Sequence, residues 1–350
     1  WTTFEFRGLR NSNGDLFYGC KFPLEEFYVG RELIPDRREY YPEELRATTG
    51  EERHQRATEF VQELIREAHR LGLKVALGMS LTDIPEPFKH AFKKWATVKP
   101  PKVDRQEFLI RLPTGEEGFN PELLEWQNWS DPVVIEFARS RLRQIVQTYA
   151  EAEYYWVGQT EFISATGSFE QAWATLDQRY GFAEGLSLDE IYQHGDRYQH
   201  PDRIVRSVQA TVEYLDMFDQ IFFRDRVLAD SANPKARPIL GLHFFGLELL
   251  PGIARMVGDR AVVLPELDYG VHASARKVDL LAPLASSGTE VWLEMCLDED
   301  NNMRLPQHTT HSLQKVIRDG LRAGVSGFLA GHWRIRVNEP SGTYWMRAAW

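Results

Sequence analysis

Cysteine is scarce in this chain, and long hydrophobic runs are missing. Only two of the 350 residues are cysteines, Cys20 and Cys296, and they lie in unlike contexts. Neither a disulfide framework nor a cysteine-based metal site can be inferred from two such residues. No apolar stretch approaches the ~20 residues that span a bilayer, and the first residues lack the pattern of a signal peptide. We therefore expect a soluble protein without a membrane partner, and the sequence indicates no particular compartment.

Positive charge is also in short supply. The chain has 41 basic against 51 acidic residues, which gives a formal net charge of −10 at pH 7. A chain of this charge repels polyanions unless its basic residues cluster locally, and the sequence shows no such cluster. The charge balance predicts that nucleic acid is not a partner.

Motifs for phosphate binding and for a serine nucleophile are missing as well. No G-x-G-x-x-G or G-x-x-x-x-G-K-[ST] loop follows an apolar run, which disfavours the nucleotide sites of open parallel sheets. No G-x-S-x-G turn is present either. The hydrophobic content of 43% is that of an ordinary globular protein, which excludes a disordered or fibrous chain.

The chain does contain a repeated unit, an amphipathic helix followed by a short apolar strand. Residues 51–71 carry apolar side chains every three to four positions and end at Gly72, and an apolar run at 73–80 follows. The run Ser130-Asp131-Pro132 has the capping side chain and first-turn proline of another helix start. The pattern predicts further helices at 133–148, 203–229, 249–257, 277–285 and 312–323, and further strands at 154–161, 238–245, 261–268, 290–295 and 325–333.

Six such units predict an α/β fold built on a parallel sheet covered by helices. Nearly every strand ends in polar or aromatic residues, as at the active rim of a (β/α)8 TIM barrel. We predict that fold as a single domain over 1–350. The two remaining strands come from 2–7 and 16–22, or the chain lacks N-terminal strands or a preceding domain. Long insertions at 85–128 and 163–200 are predicted to be loops over the active face.

Three glutamates end predicted strands: Glu161, Glu266 and Glu294. A carboxyl group at the end of an apolar strand loses water, which raises its pKa and suits it to act as a general acid. Hydrolysis of a glycosidic bond needs two carboxyl groups across that bond. We assign the general acid to Glu161 and leave Glu294 and Glu266 as alternatives for nucleophile or base. A structural salt bridge is the competing interpretation of each.

Aromatic and polar residues near the same strand ends are predicted to bind substrate. Flat aromatic rings suit the C–H faces of sugars, although core packing is the competing explanation for the ten tryptophans. Histidine and arginine side chains are predicted to bond hydroxyl or carboxylate groups. The predicted substrate-binding residues are Trp129, Trp156, Gln159, His243, Asp268, Tyr269, Trp292, His332, Trp333 and Arg334.

A metal centre is the main chemical alternative. His243, His272 and His332 lie near strand ends, as do Glu266 and Asp268. The usual H-x-H, H-E-x-x-H and cysteine-cluster signatures are missing, so we predict no metal ligand and no cofactor. A metal-dependent barrel lyase, isomerase or hydrolase is the first alternative function, and a catalytically silent glycan-binding barrel is the second.

The succession of Glu161 and Glu294 resembles that of retaining glycoside hydrolases with a (β/α)8 barrel, whose acid/base lies on strand four and nucleophile on strand seven. Trp129-Ser130-Asp131-Pro132, with the helix and the YYWVGQTE run at 154–161 that follow, resembles alpha-glucuronidase-like barrels. This resemblance implies cleavage of uronic acid side groups from plant polysaccharides and a second domain before the barrel. Thr160 stands where substrate-assisted beta-hexosaminidases have Asp, which disfavours their mechanism.

These observations together predict a glycoside hydrolase that cleaves a poly- or oligosaccharide with two carboxyl groups. Carbohydrate is the expected partner. Assembly into a homo-oligomer is a further expectation.

Overall fold

A computed structural model of the chain describes residues 50–79, 81, 131–159, 167–194, 201–243, 247–268, 270–297, 309–331, 343, 344 and 347. The predicted strands 2–7 and 16–22 and the predicted insertion 85–128 lie outside these residues. No helix within the described part of the chain is long and apolar enough to cross a membrane.

The described residues form six strands, one for each predicted helix-then-strand unit. They are β1 (Ala76–Met79), β2 (Tyr154–Gly158), β3 (Arg237–Leu242), β4 (Val262–Pro265), β5 (Glu290–Cys296) and β6 (Gly327–Gly331). The strands are hydrogen-bonded neighbours in chain order. The pairs β3–β4, β4–β5 and β5–β6 are parallel. The parallel α/β architecture is thus confirmed, whereas a closed ring of eight strands is not shown by the described residues.

The helices lie before β1 and between successive strands. They are α1 (Gly50–Arg70), α2 (Pro132–Thr148), α3 (Phe169–Tyr180), α4 (Leu188–His194), α5 (Pro201–Phe218), α6 (Leu250–Val257), α7 (Val271–Ser274), α8 (Ala282–Ser286) and α9 (Thr310–Arg322). A 3₁₀ turn precedes α6 at Leu247–Leu249, and another precedes α8 at Val278–Leu281.

Two predicted segments differ from the structure. The helix predicted over 203–229 ends at Phe218 and continues only as a wide π-helical turn, Asp219–Arg224. There the fully buried Asp219 accepts a hydrogen bond from the Tyr180 hydroxyl at 2.5 Å, an interaction between segments that helical periodicity does not reveal. The predicted loop 163–200 contains α3 and α4, so its described part is largely helical.

By its internal contacts the chain divides into two compact units. The first comprises Trp1–Lys99, Ser130–Trp156 and Ile221–Arg237. In it, the predicted cap of α2 is confirmed, because the Val133 backbone N–H donates to Asp131 Oδ1 at 2.8 Å. The helix packs one apolar stripe inward, at Val134, Ala138, Leu142 and Val146. Burial of each valine or leucine side chain in this stripe stabilises the fold by roughly 1.5–3 kcal/mol.

The second unit comprises Pro100–Trp129, Val157–Gln220 and Pro238–Trp350. All four residues of β4 are buried, as expected for a strand covered on both faces. The α3 helix packs against α5 and α6, and Trp173 of α3 meets Phe182 edge-on with ring centroids 5.5 Å apart. Trp173 therefore packs against the turn that follows α3. The prediction of one domain over 1–350 stays a prediction.

Candidate active site at the ends of β3, β4 and β5

Three predicted site residues meet at the ends of adjacent strands: His243, Glu266 and Glu294. His243 directly follows β3 and Glu266 directly follows β4. The β3–β4 register pairs Leu242 with Pro265, and a parallel bridge pairs Glu266 with Glu294 of β5. Because parallel strands end at the same edge, this register places all three side chains on neighbouring strand ends.

Glu266 is buried and held through both of its carboxylate oxygens. His243 Nδ1 lies 2.5 Å from Glu266 Oε2, and Cys296 Sγ lies 3.8 Å from Glu266 Oε1. The side chain of Glu266 is only 5% exposed, so it needs these partners. An ionised carboxylate can only accept hydrogen bonds, so in that state the hydrogen is on Nδ1 of His243.

Glu294 has a raised pKa. Its side chain is partly exposed, but the surrounding protein removes enough water to raise the pKa of Glu294 to about 7. Burial is the main cause, the negative charge of Glu266 adds to it, and His243 acts in the opposite direction. Glu294 therefore holds a proton at pH values where an ordinary glutamate has lost it.

Trp292 lies on the same face of β5 as Glu294. Burial alternates along the strand, with Val291, Leu293 and Met295 inward and the residues between them partly exposed. The indole Nε1 donates to Glu290 Oε1 at 2.9 Å. A Cβ on Gly327, its partner on β6, would lie 2.5 Å from the indole ring, so the absence of a side chain there makes room for Trp292.

Asp268 lies two residues beyond Glu266 and is paired with Lys277. Lys277 Nζ lies 2.7 Å from Asp268 Oδ2, and both side chains are largely buried. Ser274 Oγ also donates to the Asp268 backbone carbonyl at 3.2 Å. These contacts connect Asp268 to the segment around α7. Substrate binding by Asp268 stays a prediction. The ion pair with Lys277 does not favour it, because the carboxylate already has a partner.

Trp156 lies on β2 and Gln159 directly follows it, so strand alternation places their side chains on opposite faces. Gln159 is buried and its Nε2 donates to Thr211 Oγ1 of α5 at 2.9 Å, whereas Trp156 is partly exposed. A glutamine packed against a helix is poorly placed to contact a sugar. Binding of a substrate hydroxyl by Gln159 therefore stays a prediction that this position does not favour.

Several predicted site residues lie outside the described residues. They include the predicted general acid, and the full set is Glu161, Trp129, Tyr269, His332, Trp333 and Arg334. Thr160 is also outside them. Of the histidines considered as metal ligands, His272 bonds through Nδ1 to Ser312 Oγ. Among the described residues, no group of three acidic, histidine or cysteine side chains could hold a metal ion.

The structure adds Cys296 and Lys277 to the residues found from sequence. Cys296 follows Glu294 by two positions, so strand alternation already places the two on one face. That signal was present in the sequence and identifies Cys296 as a neighbour of the acids. Lys277 had no comparable signal, because its contact with Asp268 depends on how the segment after β4 folds back.

Comparisons with known proteins do not assign the chain to a family. No family model and no curated protein matches it. One similar solved structure is the GH20 exo beta-N-acetylglucosaminidase from Vibrio harveyi in complex with N-acetylglucosamine, with a TM-score of 0.43 and 14% identity. The match covers 84% of this chain and 41% of that chain, so this chain spans less than half of that protein's length. That protein is a glycoside hydrolase, and the finer resemblance to alpha-glucuronidases is not supported.

Proposed function

We propose that the chain is a glycoside hydrolase that cleaves a poly- or oligosaccharide with two carboxyl groups. The adjacent glutamates Glu266 and Glu294 carry this proposal, because Glu266 is bonded to His243 whereas burial raises the pKa of Glu294. Enzymes commonly combine a general acid and a general base in one site by placing two carboxyl groups in surroundings that give them different pKa values. Glycosidic bond cleavage needs such a pair.

The two glutamates have distinct proposed roles. Glu294 protonates the departing glycosidic oxygen, because it still holds a proton near neutral pH. Glu266, held by His243, acts as the ionised partner, either as nucleophile or as base for water. Trp292 is on the Glu294 face of β5 and offers an aromatic surface to a sugar ring. The role of Glu161 as general acid stays a prediction and is a rival to that of Glu294.

Leaving-group dependence separates these roles. We expect the full chain to hydrolyse members of a panel of nitrophenyl glycosides and matching oligosaccharides. Glu294→Gln should lower kcat/KM by roughly 10²–10⁴ on oligosaccharides, which need protonation, and much less on nitrophenyl glycosides. Glu266→Gln should impair both substrate classes. The fall of kcat/KM at high pH should begin near pH 7, where Glu294 ionises.

Two matched variants complete this experiment. Glu248→Gln, in the turn after β3, should retain the activity of the unaltered chain. If Glu161→Gln rather than Glu294→Gln shows the leaving-group pattern, the acid is Glu161. Binding of glycans without turnover on any substrate would contradict the proposal and favour the silent glycan-binding barrel.

Elemental analysis addresses the metal-dependent alternative. We expect purified protein to keep its activity after chelation, because the proposed pair acts through its own carboxyl groups. Zinc or manganese near one per chain, with activity lost on chelation and restored by the metal, would contradict the two-carboxylate mechanism.

A further inference from the structure

The Glu266 carboxylate is contacted from both neighbouring strands. His243, at the end of β3, reaches Oε2 at 2.5 Å, and Cys296, at the end of β5, reaches Oε1 at 3.8 Å. The imidazole contact is short and the thiol contact is long. A thiol is a weak donor, so His243 provides the main stabilisation of a negative charge on Glu266.

The backbone holds His243 and Glu266 in this arrangement. The Glu266 N–H donates to the Leu242 carbonyl at 2.7 Å, one residue before His243. The paired Leu242 and Pro265 align the two strand ends. Both side chains thus leave from backbone that is already fixed, which favours one orientation of the carboxylate.

Charged side chains near His243 and Glu266 contact other residues. Lys277 is paired with Asp268, and Glu290 accepts from the Trp292 indole. The sequence of β6, Gly327–Gly331, contains no titratable side chain. Within the part of the chain that the structure describes, the basic side chain that contacts Glu266 is His243.

We propose that His243 is a positioning residue, which donates to the Glu266 carboxylate and so stabilises its negative charge in one orientation. This inference rests on the proposed function for its catalytic meaning. The arrangement itself is a property of the folded chain and can be measured without substrate. His243 acts through Glu266 and contributes to bond cleavage only by that route.

Replacing His243 with asparagine or glutamine makes a matched pair of variants. The asparagine amide nitrogen lies near the position of Nδ1, so His243→Asn keeps the donor to Glu266. The glutamine amide nitrogen lies near the position of Nε2, so His243→Gln loses that donor. Both replacements are polar, and circular dichroism with thermal unfolding checks that both fold. His272→Gln is the control, because His272 bonds to Ser312 instead.

Infrared spectroscopy of the full chain gives a readout that needs no activity. Below pH 7, Glu294→Gln should abolish the band of the buried protonated carboxyl group. In the double variant His243→Gln/Glu294→Gln a band should return, because Glu266 then takes up a proton. His243→Asn/Glu294→Gln and His272→Gln/Glu294→Gln should show no such band. Absence of the band in His243→Gln/Glu294→Gln would overturn the proposal.

Kinetics then test the catalytic meaning. We expect His243→Gln to lower kcat/KM on the order of 10- to 100-fold and His243→Asn to retain most of it. In the Glu266→Gln background, His243→Gln should have no further effect, because both changes act on the same group. An equal loss in that background would contradict positioning through Glu266. If the unaltered chain cleaves no glycoside, the proposed function fails, while the infrared result still decides the role of His243.

Discussion

At the scale of single residues, two glutamates lie in different surroundings. Glu266 and Glu294 are the same amino acid on adjacent strands. His243 bonds to Glu266, whereas Glu294 is desolvated beside a negative charge, which raises its pKa to about 7. Their positions at strand ends could be predicted from sequence. The partner of each could not, because it depends on which strands lie side by side.

The pKa of Glu294 predicts a pH-dependent effect on stability. The raised pKa means that the folded chain binds this proton more tightly than the unfolded chain, whose value is near 4.5. The contribution of Glu294 to the free energy of unfolding is then greatest below pH 4.5 and is lost as pH rises through about 7. Glu294→Gln removes that loss, so it should increase the free energy of unfolding at pH 8 by about 1–3 kcal/mol.

Urea unfolding of both proteins at acidic and alkaline pH measures this difference. The gain from Glu294→Gln should shrink on acidification, once the native glutamate is also protonated. Glu248→Gln, in the 3₁₀ turn Leu247–Leu249, should give no pH-dependent difference. Equal destabilisation by Glu294→Gln at both pH values would contradict the prediction.

At the scale of elements, alternation along β5 separates a packing face from a site face. Val291, Leu293 and Met295 are fully buried, whereas Trp292 and Glu294 share the other face. Period-two alternation was visible in the sequence, so the shared side of Trp292 and Glu294 was predictable. The close approach of Gly327 to the indole was not, since it follows from the β5–β6 register.

Gly327→Ala tests this contact between elements. The added Cβ would lie 2.5 Å from the Trp292 ring and so must displace the indole. We expect a loss of about 1–3 kcal/mol in the free energy of unfolding, measured by urea denaturation. In a Trp292→Ala background the same change should cost much less, because the overlapping ring is gone. Equal losses in both backgrounds would show that the indole is not the cause.

At the scale of the whole molecule, the net charge predicts how the chain behaves on charged columns. With a formal net charge of −10, the chain should pass through a heparin column at pH 7 and about 0.15 M salt. It should bind an anion exchanger at low salt and elute as salt rises. Retention on heparin would reveal a local basic surface. It would contradict the prediction that nucleic acid is not a partner. Formation of a homo-oligomer stays a prediction.

The sequence by itself determined the order of the elements, because the signals for them are local. Apolar spacing predicted α1, and Gly72, with φ of +76°, stands where that helix was predicted to stop. The run Ser130-Asp131-Pro132 predicted a capping side chain at the start of α2, and Asp131 provides it. Acids at the ends of β4 and β5 were likewise readable from the chain.

Only the tertiary structure decided which side chains meet. The pairing of β4 with β5 brings Glu266 next to Glu294, and the β3–β4 register brings His243 onto Glu266. The end of α5 at Phe218 is likewise visible only in the structure. Register and neighbours depend on packing among residues far apart in the chain, and no local pattern records them.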